Sequence, residues 1–374
     1  MKRDWKLDKN ELLTAYKSKN TSLEEKLCIL ELMHLRGGNK FELFGKPNKK
    51  YINNINLIKE IFLNMMKKDY NELGESFLKY IIELDRLNIF RCDMLEPIYK
   101  NNIDKVADIT LEVYSKYSNL LYKNAKDVLD NKCVLVVENI DSKSYMTFLN
   151  CINKPICVVD KSDNPNTLIH EVEHAIEAKL RYRIPEDYDE LGAITFETLF
   201  IDELVDKKIK GTEALYYDRI RESIDFHKDL VNYYMAILYA KRKNFKITNS
   251  EFIIMMTEIM NIEKKNIISY SNDLFFQDLF NQELLYFLSF IKSIEIRNMI
   301  LNDKKLGLKY LRECLNGKDL SFNEKENFNY VKQYIKEIKK KNKWLLIFLL
   351  IYKDNYLIHS YFLYHLSLIF LAFD

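Results

Sequence analysis

Apolar residues recur at spacings of three and four along most of the chain, which predicts a protein built largely of helices. Asp8-Lys9-Asn10-Glu11 ahead of Leu12-Leu13 reads as a helix start, and Gly37-Gly38 after Arg36 as a stop. The same periodicity runs through 55–67, 75–90 and 103–122. It then changes. Val134–Val137, Tyr145–Leu149 and Ile156–Val159 are short β-branched or aromatic runs between polar turns, so they predict two or three strands. All three fit within 27 residues, which leaves no room for helical crossovers, so antiparallel hairpins in one small sheet are expected. Asn164-Pro165 pairs a capping residue with a proline suited to the first helical turn. That helix is expected to reach about Arg183, before Pro185. A second helix follows Asp187–Glu190 and runs to about Asp206. Further helices are expected beyond it, with breaks near Asn244–Ser250, Asn302–Gly307 and Gly317–Asn323. The expected fold is mostly α, with a helical lobe over 1–130 and a region over 131–374 that carries the chemistry.

Composition agrees with that pattern and narrows the function. Only 8 Gly and 5 Pro interrupt 374 residues, too few for a loop-rich or all-β chain. With 57 basic against 55 acidic residues the net charge is +2, so no field of one sign favours nucleic acid. The basic run Lys339-Lys340-Lys341-Asn342-Lys343 follows an alternating charged helix and reads as a solvated face. Six cysteines without CxxC spacing, and an N-terminus without an apolar signal core, fit a reducing cytoplasm. Two apolar stretches, 344–352 and 356–373, are read as buried helices closing a core. The first is too short to cross a bilayer, and the second holds two His and two Ser, which are costly in lipid. A membrane hairpin is the minority reading.

One motif carries chemistry. His170-Glu171-Val172-Glu173-His174 is an HExxH sequence on a predicted helix. Spacing of four puts both imidazoles on one face, one turn apart, as two ligands of a single zinc ion require. Glu171 projects about 100° round the helix from His170 and can stand beside the metal as base toward a bound water. Leu168, Val172, Ala175, Ile176 and Ala178 make the helix substantially apolar. Imidazoles and carboxylates on a buried helix need partners, and one metal ion satisfies several together. The bland alternative is a pair of hydrogen-bonded core histidines. A catalytic zinc needs a third protein ligand and an open fourth position. On the next helix Leu191, Ile194, Thr198, Ile201 and Leu204 form an apolar stripe, and Glu197 lies inside it. Glu197 is therefore the expected third ligand, and Glu203 a candidate acceptor behind a ligand histidine.

The segment LIHEVEHAIEAKL, followed 23 residues after His174 by the glutamate of AITFETLFIDEL, resembles the thimet oligopeptidase and oligoendopeptidase F family. Three further segments resemble that family: Pro155–Asp160 before the metal helix, Phe275–Phe280 with Gln277, and His359–Tyr364 near the C-terminus. The resemblance covers roughly 145–374. It implies a helical zinc peptidase with a deep channel between lobes, one zinc per chain and short peptides as substrate. It also implies that Pro155–Asp160 pairs with an extended peptide, that His359 and Tyr364 act in catalysis, and that Tyr361, Tyr364 and His365 bind substrate. Packing in a core is the plain alternative for these C-terminal aromatics. Glu173 stands where the family commonly has glycine, and Leu368 and Leu371 stand where it has tyrosines. Losing an oxyanion donor of that kind costs about a hundredfold or more in rate. A peptide-binding relative with little or no activity is thus the second reading. A third is a di-iron helical bundle, because Glu171–His174 and Glu31–His34 both spell ExxH.

Overall fold

The computed structural model describes residues 3–36, 102–138, 144–184, 188–209, 235–260, 279–318 and 324–341, with a few isolated positions between them. Within these the chain is mostly helical, with one small three-stranded sheet. Met1–Tyr330 forms one compact unit, and Val331–Asp374 a second.

The N-terminal helices follow their capping chemistry. Helix α1 (Lys9–Lys17) starts at Asp8, whose carboxylate accepts the backbone N–H groups of Asn10 and Glu11. Helix α2 (Leu23–Arg36) follows. Helices α3 (Ile103–Tyr117) and α4 (Asn119–Asp130) meet at Ser118, which caps the second of them. Strands β1 (Val134–Val137), β2 (Tyr145–Leu149) and β3 (Lys154–Asp160) then form a sheet in the order β1-β3-β2. The β2–β3 pair is antiparallel as expected, but β1 runs parallel to β3, so the sheet is mixed. The reason is visible in β3. Pro155 through Asp160 are all buried, and a strand covered on both faces takes the central place. Once β3 sits between its neighbours, the hairpin to β2 leaves β1 alongside it in the same direction.

Each face of the sheet has its own helices. Leu7, Leu12, Ala15, Ile29 and Leu32 pack against Leu135, Leu149, Ile156 and Val158, which places α1 and α2 on one face. Helix α5 (Asn166–Leu180) covers the other, where the Cys157 thiol donates to the Glu171 carbonyl at 3.2 Å. The outer edge of β1 is met by the N-terminal segment, the Val136 N–H donating to the Trp5 carbonyl. Helix α5 ends at Leu180, short of Arg183, because Arg181 turns left-handed (φ 54°) and its N–H closes on the Ala178 and Glu177 carbonyls.

Helix α6 (Leu191–Asp206) is buried nearly all round, from Leu191 to Asp202 without a break. A helix apolar on every side is an interior helix, and it packs between α5 and α8 (Leu279–Asn302). Asp202, which lies off the sequence stripe, is buried too, and its carboxylate takes a two-pronged bond from Arg297 of α8 at 2.6 and 2.9 Å. Helices α7 (Asn249–Ile254), continued by a π-helical turn over Met255–Ile259, α9 (Lys304–Leu315) and α10 (Glu324–Lys341) are also described. Among the described residues no helix is long and apolar enough to cross a membrane. The apolar stretches 344–352 and 356–373 lie outside them.

Candidate metal centre

The first turn and middle of α5 face α6 across a narrow interior space. From α5 come His170, Glu171, Glu173, His174 and Glu177, and from the start and second turn of α6 come Glu190 and Glu197. Glu171, Glu173, Glu177 and Glu197 are each at most 4% exposed. Five carboxyl groups around two imidazoles, four of them buried, need protons or cationic partners.

The two Nε2 atoms of His170 and His174 lie 3.1 Å apart. Glu190 Oε2 stands 3.1 Å from the first and 3.4 Å from the second. A tetrahedral zinc with bonds of about 2.0–2.1 Å holds neighbouring donor atoms about 3.3 Å apart, so these three edges match such a site. Glu190 Oε2 is also buried without a well-formed hydrogen bond, although it touches both rings. His170, His174 and Glu190 are the one set of metal-type side chains found together among the described residues. The donor chemistry, two imidazoles and a carboxylate, suits zinc.

The ring nitrogens facing away lie near carboxylate oxygens as well, that of His170 without a well-formed hydrogen bond. Glu197 Oε1 lies 3.1 Å from His170 Nδ1, and the Asn166 amide donates to the same oxygen at 3.4 Å. Glu177 Oε2 lies 3.3 Å from His174 Nδ1. Ligand histidines normally give their second N–H to an oxygen in this way. Glu197, the third ligand expected from the sequence, lies beside His170 Nδ1, and Glu190 is the carboxylate that faces both Nε2 atoms. Glu203 turns elsewhere and bonds Lys116 at 2.8 Å and Lys207 at 3.6 Å. Six residues beyond Glu197, it is about 240° round the helix and cannot share its face.

Electrostatics follow from this crowding. Burial alone would lower His170, but the Glu197 charge and the Glu190 bond outweigh it and push the imidazole up to about 10. His174 goes the same way, burial being overcome by Glu177 and Glu190. Glu190 is held well below the usual carboxylate range, because the two imidazoles override its burial. Burial raises Glu171 and Glu177 despite the histidines nearby. Burial also raises Glu173 to about 8, and the carboxyl accepts the Tyr114 hydroxyl at 2.7 Å.

A cavity of about 520 Å³ opens onto the centre. Its walls include His170, Glu171, His174 and Glu190, the aromatic rings of Tyr182 and Tyr286, and Ser144, Tyr145 and Met146 at the start of β2. His359, Tyr361, Tyr364 and His365, with Gln277, Leu368 and Leu371, lie outside the described residues. The di-iron arrangement is not what the fold builds. Glu31 is on α2, across the sheet from α5, and near Tyr145.

Sequence reasoning missed Glu190 and Glu177. Glu190 precedes Glu197 by seven residues, two turns of helix, so carrying the inward stripe one step toward the N-terminus would have found it. Glu177 follows His174 by three, on the same face of α5.

The sequence matches no established family profile and no curated protein. Two solved structures resemble the chain over most of its length. One, from Chlamydophila abortus and provisionally described as a peptidase, is 12% identical with a TM-score of 0.47, over 89% of this chain and 62% of that one. The other, from Bacillus anthracis str. Ames and provisionally described as an oligoendopeptidase F, is 14% identical with a TM-score of 0.41, over 87% of this chain and 64% of that one. The chain thus spans less than two thirds of the length of either protein.

Proposed function

We propose that the protein is a zinc-dependent metallopeptidase that hydrolyses short oligopeptides, with Glu171 as general base. The observation that carries this reading is the triangle of His170 Nε2, His174 Nε2 and Glu190 Oε2, with edges of 3.1, 3.1 and 3.4 Å, at the floor of a cavity that Glu171 also lines. His170 and His174 would hold the ion. Between the two candidates for third donor, the spacing favours Glu190, and Glu197 is the rival. Bound zinc supplies a Lewis acid that polarises a carbonyl and brings the pKa of a water to about 7.

The chain's own residues do the rest. Burial raises the Glu171 carboxylate above its ordinary range, which suits a group that must take a proton and give it back. It receives the proton of the attacking water and passes it to the leaving amine. Glu197 and Glu177 keep the imidazoles turned inward. Among the described residues an extended peptide has the outer edge of β2 available. Strand β3, assigned that role from the sequence, is central and has partners on both sides, whereas β2 is an outer strand whose first residues line the cavity. The peptide is placed along β2. His359, Tyr361, Tyr364 and His365 remain the substrate-contacting residues that the family resemblance implies.

The test is metal analysis of the purified protein followed by a mixed peptide library read by mass spectrometry. About one zinc per chain and cleavage by the wild type are expected, with Glu171→Gln keeping the zinc and losing the cleavage. Protein that folds without taking up zinc would overturn the reading. Full zinc with no cleavage of any peptide would select the peptide-binding alternative.

A further inference from the structure

Glu177 sits in a tight place. Its Oε2 lies 3.3 Å from His174 Nδ1, while Oε1 is buried with no hydrogen-bond partner among the described residues. That oxygen is pressed against Gly192 of α6. A Cβ at Gly192 would overlap Oε1 and stand 3.1 Å from the Glu177 carboxyl carbon. Gly192 is an ordinary helical residue without positive φ, so its backbone gives no reason for a glycine. In a helix alanine is the better residue. The space it leaves is therefore what matters, and the Glu177 carboxylate fills that space.

We propose that Glu177 is the positioning residue for His174 and that Gly192 is the feature of α6 that makes room for it. The inference rests on the zinc reading above and deepens it. By accepting a hydrogen bond from Nδ1–H, Glu177 fixes the tautomer in which the Nε2 lone pair points at His170 Nε2 and Glu190. Gly192 follows Glu190 by two residues, so the same turn of α6 carries a candidate donor and the seat for the carboxylate behind His174. Close approach of α5 and α6 at this point couples the two ends of the site. A side chain at 192 would push Glu177 away from His174 without touching either histidine.

The experiment is a double-mutant cycle on zinc affinity, measured by competition with a chromophoric chelator. Removing an oxygen behind a ligand histidine costs about 10- to 100-fold in metal affinity. Glu177→Ala should show that loss, and so should Gly192→Ala. In the Glu177→Ala background the alanine at 192 should cause no further loss, because the carboxylate it would displace is already gone. A merely structural glycine would weaken zinc by the same factor in both backgrounds, which would overturn the proposal. If Gly192→Ala alone fails to fold, the double variant must recover a folded, zinc-binding protein, and its failure to do so counts against the proposal equally. A wild type that takes up no zinc defeats the metal reading and this inference with it. A wild type that does, with Gly192→Ala binding as tightly, defeats this inference alone.

Discussion

Each histidine of the centre is held between two carboxylates, one per ring nitrogen. His170 lies between Glu190 and Glu197, and His174 between Glu190 and Glu177. Without a metal the imidazoles balance that charge by holding protons, which a divalent ion displaces. His170→Ala or His174→Ala should therefore abolish zinc retention, seen as loss of stoichiometric metal after gel filtration. Retention at the wild-type level in either variant would sink the metal reading. Among the glutamates, Glu190→Gln should weaken zinc most, since its Oε2 faces both Nε2 atoms. Glu197→Gln should cost about 10- to 100-fold, the usual effect of disturbing an oxygen behind a ligand. Glu203→Gln should leave affinity unchanged, because that carboxylate pairs with lysines. A larger loss at Glu197 than at Glu190 would restore Glu197 as the third donor. Either order is read from one chelator titration. In kinetics, Glu171→Gln should lower the rate by about a hundred- to ten-thousandfold, the usual contribution of a general base.

At the scale of elements, spacing and burial were legible in unequal measure. The i, i+4 histidines on a partly apolar helix marked the candidate site, and the helix carrying them forms within three residues of its expected end. The sheet was legible as two or three strands but not in its order. Only long-range pairing decides that β3 lies between β1 and β2, although its unbroken apolar run was the clue. Periodicity also understated α6. An inward stripe picks out Glu197, but a helix buried on all sides has no outward face, so Asp202 hides from such a search while pairing with Arg297. That pair joins α6 to α8, and Asp202→Asn leaves a buried guanidinium without its carboxylate. The expected loss is roughly 3–5 kcal/mol of stability, measured by urea unfolding. A change below about 1 kcal/mol would mean that water reaches Arg297. Glu173, standing where the resembled family has glycine, adds a buried carboxyl held at about 8. Its folded value is raised, so the folded state keeps a proton that the unfolded chain releases from pH 4.5 upward. Its contribution to stability is then full below about pH 4.5 and lost as pH rises through 8. Glu173→Gln keeps an acceptor for Tyr114 but cannot ionise. In metal-free protein its Tm should exceed that of the wild type increasingly as pH rises from about 4.5 to about 8. Parallel Tm profiles would show that Glu173 ionises without penalty.

At the scale of the whole molecule, the cavity sets what can reach the centre. Its roughly 520 Å³ falls in the range that holds a small ligand or a few residues of peptide, about 300–1,000 Å³. A folded protein cannot deliver a backbone segment into such a space without unfolding locally, so short unstructured peptides should be cleaved and the same sequences within a stable domain spared. The walls go further than size. Glu171, Glu177, Asp189 and Glu190 line the cavity, together with Tyr182, Tyr286, Met146 and Ile184, and no lysine or arginine is among the described lining residues. In the proposed peptidase a bound zinc ion would offset only part of that negative charge, and the remainder would disfavour anionic side chains near the scissile bond. Like charges brought together in a poorly hydrated cleft repel far more than in water. Paired peptides that differ only by Glu against Gln beside the cleaved bond should then differ in kcat/KM by at least about tenfold, with Gln preferred, which corresponds to about 1.4 kcal/mol. Because part of the repulsion acts through solvent at the mouth of the cavity, the ratio should shrink as salt rises from 0.05 to 0.5 M, a range across which the screening length falls from over about 10 Å to under about 5 Å. Equal cleavage of both peptides at low salt would mean that cationic groups outside the described residues complete the wall. A preference for Glu would require such a group to face the substrate directly.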